Sequence, residues 1–339
     1  MSGSTAGDER HAWDSAAYAV PVRGTASPVA DAAPVVRTVY APAEPVDLVT
    51  TVRVLRRGPG DPTFRREPDR PVVWRAVRTP DGPASLRLAQ HADGSVHAVA
   101  WGPGAEWAVD GVPELLGAGD DWSDLDVAAV PILARTRRRH EGLRLTRCRQ
   151  VLEMLVAAIL EQKVATVDAQ RSWAWLIRRH GEPAPGPVPE GMRVAPDAGT
   201  WRRIPSWDWH RAGVDPKRSA AVMAATAVAP GLERTLGLGR GGADVAQRLR
   251  SVPGVGIWTA AETSQRSHGD PDAPSFGDLH LPGIVGTALI GQKVDDAGML
   301  ELLEPWRGHR QRVMRLIVAS GASVPRRAQR LAPQDHRWH

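Results

Sequence analysis

Cysteine is nearly absent from this sequence of 339 residues, with Cys148 as its one representative. A single thiol cannot form a disulfide framework within the chain, a zinc site built from thiolates, or an iron–sulfur cluster. Lysine is almost as scarce, since Lys163, Lys217 and Lys293 are the only three. The positive charge of the chain therefore resides almost entirely in arginine.

Long apolar segments are also missing. No apolar run approaches 18 residues, so no segment is predicted to cross a membrane. The first 45 residues are rich in Ala, Pro and Asp and lack the apolar core of a secretion signal. We expect a cytoplasmic protein without a membrane partner, associated with the nucleoid if its partner is DNA.

The formal net charge of +5 and the isoelectric point near 10.0 favour an anionic partner. Residues 135–150 hold seven Arg against one acid, and residues 301–339 hold eight Arg against three acids. One interpretation is a solvated charged face and a soluble tail. The other is a pair of strips that face phosphates.

The chain is long enough for one large domain or two ordinary ones. We predict a disordered segment over residues 1–44, because it has few large apolar residues. Residues 45–131 are predicted to form a small antiparallel α+β domain, with turns at Pro80–Pro83 and Asp93-Gly94. Its predicted strands are Val46–Leu55, Val72–Thr79, Ser85–Gln90 and Val96–Trp101, and its predicted helix is Glu106–Leu116.

Helical periodicity takes over after about Ile132, and residues 132–325 are predicted to form a helical domain. An apolar stripe within 151–160 is followed by predicted helices over Val167–Arg179, Lys217–Ala227, Asp244–Ser251, Ile257–Arg266, Gly283–Leu289, Asp296–Leu303 and Gly308–Ala319. Residues 326–339 are predicted to be a basic tail. Gly237–Gly242 matches a dinucleotide-binding fingerprint, but no strand precedes it, so a loop is predicted there.

The segment Val252-Pro-Gly-Val-Gly256 lies between two predicted helices. Its glycines allow a tight turn that exposes successive N–H groups, which can bind a phosphate at the start of the second helix. This is the layout of a helix-hairpin-helix, which grips DNA without reading bases. An ordinary turn between helices can have the same sequence.

Six segments occur in one order along the chain: Gly142–Leu145, Ile159–Ala165, Gly213–Arg218, the hairpin with Trp258–Ala260, Gly277–Pro282 and Glu304–Arg307. This order resembles the helix-hairpin-helix (HhH-GPD) DNA glycosylase superfamily. The resemblance is strongest to its inducible 3-methyladenine, or alkylpurine, branch, and it covers roughly residues 45–320. It implies an α+β fold in which a small antiparallel β-rich domain precedes a mainly α-helical, two-lobed domain with the active cleft between the lobes.

The resemblance implies base excision repair: an enzyme that flips an alkylated purine out of duplex DNA and hydrolyses its N-glycosidic bond. Asp278, 22 residues after Gly256, matches the catalytic aspartate of the family. Its carboxylate would stabilise the positive charge that develops on the sugar and orient the attacking water. Asp278 also precedes a predicted helix, so a simple capping role is the alternative, and the two roles are compatible.

Trp258 occupies the position at which bifunctional relatives carry a Schiff-base lysine, so a monofunctional enzyme without AP lyase activity is expected. Its indole could stack on an electron-poor alkylated purine, or it could pack two helices together. Leu279 takes the place of an aromatic residue of the base pocket. Arg315, or a neighbour, replaces a second stacking tryptophan of the closest branch.

The remaining expected contacts are with DNA. Gln162 and Lys163 match the loop that fills the gap left by the flipped base, although a surface helix end is an equal alternative. Trp306 and Arg307 match a segment near the active site of the family, and Trp306 is expected in the core, with direct contact at the site as the alternative. The other residues assigned to DNA binding are Val252, Gly254, Val255, Gly256, Thr259 and Arg307. The backbone of Val252 and Gly254 could also hold a structural Na⁺ or K⁺, and no redox cofactor or catalytic metal is expected.

Three other functions remain open from the sequence. The chain could be a damaged-DNA-binding protein of the same fold without catalysis, against which the presence of Asp278 argues. It could be a glycosylase for a deaminated or oxidised base. It could also be a DNA-binding regulator, which would bind defined sites as a dimer, whereas a glycosylase is expected to act as a monomer.

Overall fold

The structure is a computed structural model that describes residues 35–323. The predictions for most of the N-terminal segment and for the basic tail at 326–339 lie outside these residues. Within them, no helix is long and apolar enough to cross a membrane.

Five antiparallel strands form a sheet: β1 Val35–Tyr40, β2 Phe64–Arg66, β3 Val72–Thr79, β4 Gly82–Gln90 and β5 Val96–Trp101. Their order in the sheet is β1-β5-β4-β3-β2. The three predicted strands that start at Val72, Ser85 and Val96 are confirmed, although the second begins earlier, at Gly82. The turn at Pro80-Asp81 joins β3 to β4, and Thr79 pairs with Gly82 across it.

Two N-terminal predictions differ from the structure. Val35–Tyr40, inside the segment predicted to be disordered, is a strand because its backbone pairs along the whole of β5. The strand predicted over Val46–Leu55 is wrong, since Leu48–Val52 forms a helix, α1, that continues into a 3₁₀ turn. The side chain of Asp47 caps this helix by accepting from Thr50 N–H at 2.9 Å.

Helices make up most of the chain after the sheet, as predicted. They are α2 Ala105–Asp110, α3 Val112–Leu115, α4 Pro131–Arg139, α5 Val151–Leu160, α6 Thr166–His180, α7 Ala198–Arg203, α8 Ser206–Arg211, α9 Pro216–Ala227, α10 Ala229–Glu233, α11 Ala243–Arg250, α12 Ile257–Ser267, α13 Leu281–Ile290, α14 Asp296–Leu303 and α15 Arg310–Ala319. A two-residue pair, β6 Glu182–Pro183 and β7 Arg193–Val194, interrupts them. Gly237–Gly242 follows a 3₁₀ turn and precedes α11, so the predicted loop is confirmed.

Two helical cores form the lobes on which the site depends. The first surrounds α5 and contains buried side chains of α6, α9, α11 and α12. The second contains buried side chains of α4, α13, α14 and α15. Trp122, Leu125 and Val127 also pack in this second core, which therefore begins before residue 132. Helix α12 belongs to one lobe and α13 to the other.

Candidate active site and DNA interface

The hairpin between α11 and α12 is built around Gly254. This residue has a φ of +84°, and a Cβ added to it would lie 2.7 Å from the Cβ of Ala221 on α9. Only glycine fits both constraints without strain. Val252 and Val255 are buried on either side and anchor the turn in the first lobe, while Gly254 and Gly256 are exposed.

Backbone N–H groups at this turn are available for an anion. Among the described residues, the N–H groups of Gly254, Gly256, Ile257 and Trp258 have no hydrogen-bond acceptor, while Ala260 N–H bonds to Gly256 O and starts the helix. Since α12 has eleven residues, its dipole adds a partial positive charge at the same end. The N–H groups of Val252 and Val255 are not available in the same way, because they donate to Leu249 O and Val252 O, and the side chains of Val252, Val255 and Thr259 are buried.

Gln162 does not stand free at this surface. Its Nε2 donates to Gly254 O at 2.9 Å and to Thr259 Oγ1 at 2.8 Å. These bonds tie the end of α5 to the hairpin, so the side chain positions the turn. Filling a gap in DNA would require breaking both bonds.

Lys163, the next residue, is exposed and has a φ of +53°, one of two non-glycine residues with positive φ among those described. A left-handed backbone at a lysine is strained and persists only where the surroundings impose it. The structure thus places Lys163 at the tip of a tight turn beside the hairpin. Of the two predicted gap-filling residues, it is the one whose side chain is free to move.

Asp278 lies at the start of α13 with its two carboxylate oxygens in different roles. Oδ1 accepts hydrogen bonds from His280 N–H at 2.8 Å and Leu281 N–H at 2.9 Å, which confirms capping geometry. Oδ2 accepts from Trp258 Nε1 at 3.3 Å. The cap leaves Oδ2 directed to the other lobe, so Asp278 and Trp258 meet across the junction of α12 and α13.

Trp258 is partly buried on the first turn of α12, and its ring joins the hairpin to Asp278. No lysine bonds to either residue among those described. Lys163, Lys217 and Lys293 are all exposed. The two side chains that meet at this junction are therefore a carboxylate and an indole.

Two predicted site residues are not brought to this point. Leu279 is 77% exposed, so it forms no wall of a pocket in this structure. Arg307 is exposed and pairs with Glu304 through Nε at 2.8 Å. Trp306, predicted to be a core residue, packs against the second core and donates to Asp126 O at 2.6 Å.

A polar network that the sequence did not reveal extends from Trp258 along α12. Glu262, one helical turn after Trp258, accepts from Ser275 Oγ at 2.5 Å and pairs with Arg266 at 2.7 Å. Burial by itself lowers the pKa of Arg266, but the negative charge of Glu262 has the opposite effect, and the net result is a raised pKa for Arg266. The spacing of four residues between Trp258 and Glu262 indicates that the two lie on the same face of a helix. Only the structure shows which residues Glu262 contacts.

Comparisons with known proteins find similar folds but no similar sequence. No model of a protein family matches this chain, and no curated protein matches it. The structure nevertheless resembles 3-methyladenine DNA glycosylase from Archaeoglobus fulgidus, with a TM-score of 0.64 and 14% identity over 84% of this chain and 98% of that one. The fold is that of the helix-hairpin-helix DNA glycosylases.

Two further solved structures show the same likeness. One is the 8-oxoguanine glycosylase/lyase of Clostridium acetobutylicum, with a TM-score of 0.64 and 12% identity over 84% of this chain and 96% of that one. The other is MBOgg1 in complex with a low-affinity DNA ligand, with a TM-score of 0.64 and 13% identity over 84% and 95% of the two chains. These relatives name different lesions and include a lyase, so the fold leaves the lesion and the type of chemistry to the residues of the site.

Proposed function

We propose that this chain is a monofunctional DNA glycosylase, which hydrolyses the N-glycosidic bond of a damaged base flipped out of duplex DNA. The observation that carries the proposal is the contact between Asp278 on α13 and Trp258 on α12, next to the hairpin. It joins a carboxylate, an aromatic face and a phosphate-binding turn at one junction between the two lobes. A protein that only binds damaged DNA would not need the carboxylate there.

The chemistry follows from the charge that develops on the sugar. As the bond from C1′ to the base nitrogen breaks, its electron pair leaves with the base and the deoxyribose becomes an oxocarbenium ion. The fixed carboxylate of Asp278 stabilises that ion, and three hydrogen bonds hold the carboxylate in place. Water adds to C1′ and gives up a proton, which leaves an abasic site in an intact strand.

Strand cleavage is not expected. A lyase step requires an amine that attacks C1′ and forms a Schiff base. Trp258 occupies the relevant turn of α12 and contributes an indole N–H, which is not a nucleophile. The proposed product is therefore an abasic site without a nick.

DNA is proposed to bind through the free amides of the hairpin, with Lys163 entering the space that the flipped base vacates. The carbonyls of Val252 and Gly254 each accept one hydrogen bond, from Val255 N–H and from Gln162. Each keeps a second lone pair, so both fit a Na⁺ or K⁺ that would neutralise a phosphate. We propose a monomer that needs no other cofactor and acts where the chromosomal DNA is.

Two lesion classes are candidates for the flipped base. Alkylated purines are proposed because of the resemblance to the alkylpurine branch and because an electron-poor ring stacks well on Trp258. A deaminated or oxidised base is the second candidate. The partly buried Arg315 favours it, because the resemblance puts a stacking tryptophan of the alkylpurine branch at or beside this position.

The test is single-turnover release of base from duplexes that each carry one damaged base. Asp278→Asn should lower the release rate by two or more orders of magnitude, since one electrostatic contact to the transition state is worth about 10²–10³. Asp295→Asn is the matched control, because Asp295 caps α14 through Gly298 N–H at 2.9 Å and lies outside the site. Equal rates for the two variants would remove Asp278 from catalysis, and nicking before alkali is added would contradict the monofunctional assignment.

A further inference from the structure

One face of α12 carries three side chains that contact the segment leading to Asp278. Trp258, Glu262 and Gln265 are spaced by four and then three residues, which places them on one side of the helix. The segment that they meet runs from Ala273 to Asp278 and lies between α12 and α13. The three contacts therefore join a helix of the first lobe to the chain that enters the second lobe.

Gln265 makes the contact that lies furthest from Asp278 along the chain. Its Nε2 donates to Ala273 O at 2.7 Å and to Ser275 Oγ at 2.8 Å. Because a backbone carbonyl can only accept, the bond to Ala273 fixes which end of the Gln265 amide faces the segment. Gln265 is 9% exposed, so both bonds are largely shielded from water.

Ser275 connects Gln265 to Glu262. Its hydroxyl accepts from Gln265 and donates to Glu262 Oε1 at 2.5 Å, so its single donor is used. The other oxygen of Glu262 accepts from Arg266 Nη1 at 2.7 Å. Ser275 is buried, and two side chains of α12 hold it only three residues before Asp278.

The direct bond between Asp278 and Trp258 is a long one. Its 3.3 Å lies just beyond the usual upper limit of about 3.2 Å for such a bond. The two bonds to Asp278 Oδ1 come from the start of α13, and Gly277 N–H binds both oxygens of Asp296 at 3.0 Å, so these contacts stay within the second lobe. Among the described residues, Ser275 is therefore the nearest additional point at which α12 hydrogen-bonds to the chain before Asp278.

We propose that Gln265 and Ser275, with Glu262 as their acceptor, are positioning residues that set the place of the Asp278 carboxylate relative to α12. Gln265 holds Ser275, and Ser275 fixes the chain three residues before Asp278. A catalytic group must lie within about 0.5 Å of its productive position, and a displacement of about 1 Å can lower a rate about 100-fold. The inference rests on the glycosylase function proposed above and adds the residues that keep its carboxylate in place.

The first variant is Gln265→Met, which keeps the length of the side chain but has no N–H donor. The substrate is a duplex with 7-methylguanine, ethenoadenine, hypoxanthine or 8-oxoguanine, whichever base the wild-type full chain releases fastest. We expect single-turnover release to slow by about 10- to 100-fold, because the segment before Asp278 loses its bonds to Gln265. Affinity for a duplex with a tetrahydrofuran abasic analogue should change by less than about twofold. Gln170→Met, on a partly buried residue of α6, is the matched control and should leave both quantities unchanged.

A double-mutant cycle with Asp278→Asn separates positioning from a general loosening of the fold. If Gln265 acts through the Asp278 carboxylate, Gln265→Met should slow the Asp278→Asn variant by less than about twofold, since the charge that it positions is already lost. A loosened fold would slow release equally in both backgrounds. Equal slowing in both backgrounds, or an unchanged rate in Gln265→Met alone, would overturn the positioning role.

Two smaller changes keep the inference testable if thermal unfolding shows that Gln265→Met does not fold. Ser275→Ala removes the hydroxyl between Gln265 and Glu262 and should slow release by about 10-fold or more, as for a hydrogen bond to a charged group. Glu262→Gln keeps an oxygen that can accept from Ser275 and should retain the rate to within about threefold. Equal losses in Ser275→Ala and Glu262→Gln would show that the charge of Glu262 acts directly and would overturn the positioning role.

Failure of this inference can be told apart from failure of the proposed function. Base release that depends on Asp278 but is unchanged in Gln265→Met and in Ser275→Ala would overturn the positioning role alone and leave the glycosylase intact. Release of no base from any duplex, or release that is unchanged in Asp278→Asn, would overturn the proposed function itself.

Discussion

Asp278 combines two roles that are usually separate in proteins. Its Oδ1 caps α13 through two backbone N–H groups, and its Oδ2 contacts the indole of Trp258. Capping orients the carboxylate, because the bonds to Oδ1 leave the side chain little freedom to rotate. The hydrogen bonds at the start of α13 and the proposed catalytic role therefore involve the same carboxylate, and neither interpretation of the sequence excludes the other.

Trp258→Phe separates the two contributions of the indole. Phenylalanine keeps an aromatic face for the base but cannot donate to Asp278 Oδ2. We expect single-turnover base release to fall about 10- to 100-fold, as for loss of one hydrogen bond to a charged group, while affinity for damaged duplex changes little. A variant that loses affinity and keeps its rate would show that Trp258 holds the base and does not position Asp278.

The hairpin between α11 and α12 packs in the first lobe and exposes the amides that are proposed to bind DNA. Its two helices pack in the first lobe, its turn is tied to α5 by Gln162, and its exposed amides belong to the first turn of α12. Buried Val252 and Val255 anchor the turn in the first lobe, so the amides are already in place for the phosphate contact proposed here. Preorganised donors lose little entropy on binding, which suits a contact that must not depend on sequence.

Gly254→Ala should destabilise the hairpin, whereas Gly256→Ala should not. The added methyl at Gly254 meets Ala221 at 2.7 Å on a backbone with a φ of +84°, whereas a Cβ at Gly256 has nothing within 4 Å and a φ of −90°. We expect Gly254→Ala to lower the free energy of unfolding by roughly 1–3 kcal/mol. Gly256→Ala should change it by less than about 0.5 kcal/mol. Chemical denaturation measures both, and equal losses would contradict this account of the turn.

Helix α5 contributes side chains to two of the hydrophobic cores. Its apolar side chains fill the core of the first lobe, while Met154 on the same helix packs into the core under the sheet. At this junction Glu153 is buried beside Arg75, with 4.0 Å between their charged atoms, and accepts from Gln150 Nε2 at 3.1 Å. Burial raises the pKa of Glu153 to about 7, although Arg75 opposes the shift.

This buried acid predicts a pH dependence of stability. The folded chain holds the proton of Glu153 up to about pH 7, whereas an unfolded glutamate loses it near the ordinary value of 4.5. The stabilisation is therefore complete below pH 4.5 and is lost as the pH rises through 7. Glu153→Gln should remove this loss. The free energy of unfolding of this variant relative to wild type should therefore increase by on the order of 2 kcal/mol from pH 5 to pH 8. Urea unfolding at both values measures it, with exposed Glu301→Gln as the control, and a constant difference would contradict the prediction.

Much of the helical region could be predicted because its signals are local. The apolar stripe of α5, the bounds of α14 and the glycine turn before α12 all depend on residues a few positions apart. The N-terminal region was harder. Leu48–Val52 has the composition of a strand, yet the cap at Asp47 and packing beneath the sheet make it a helix.

The sequence by itself determined strands β3 to β5, the helix-rich region after them and the glycine turn before α12, because these follow from periodicity and spacing along the chain. Tertiary structure alone decided which side chains meet. Gln162 binds a turn 92 residues away, and Arg315 reaches Thr50 across 265 residues. Within residues 35–323 the side-chain oxygen of Gln311 has no hydrogen-bond partner. Such contacts depend on how distant segments pack against each other, and the spacing of residues along the chain does not indicate which of them will meet.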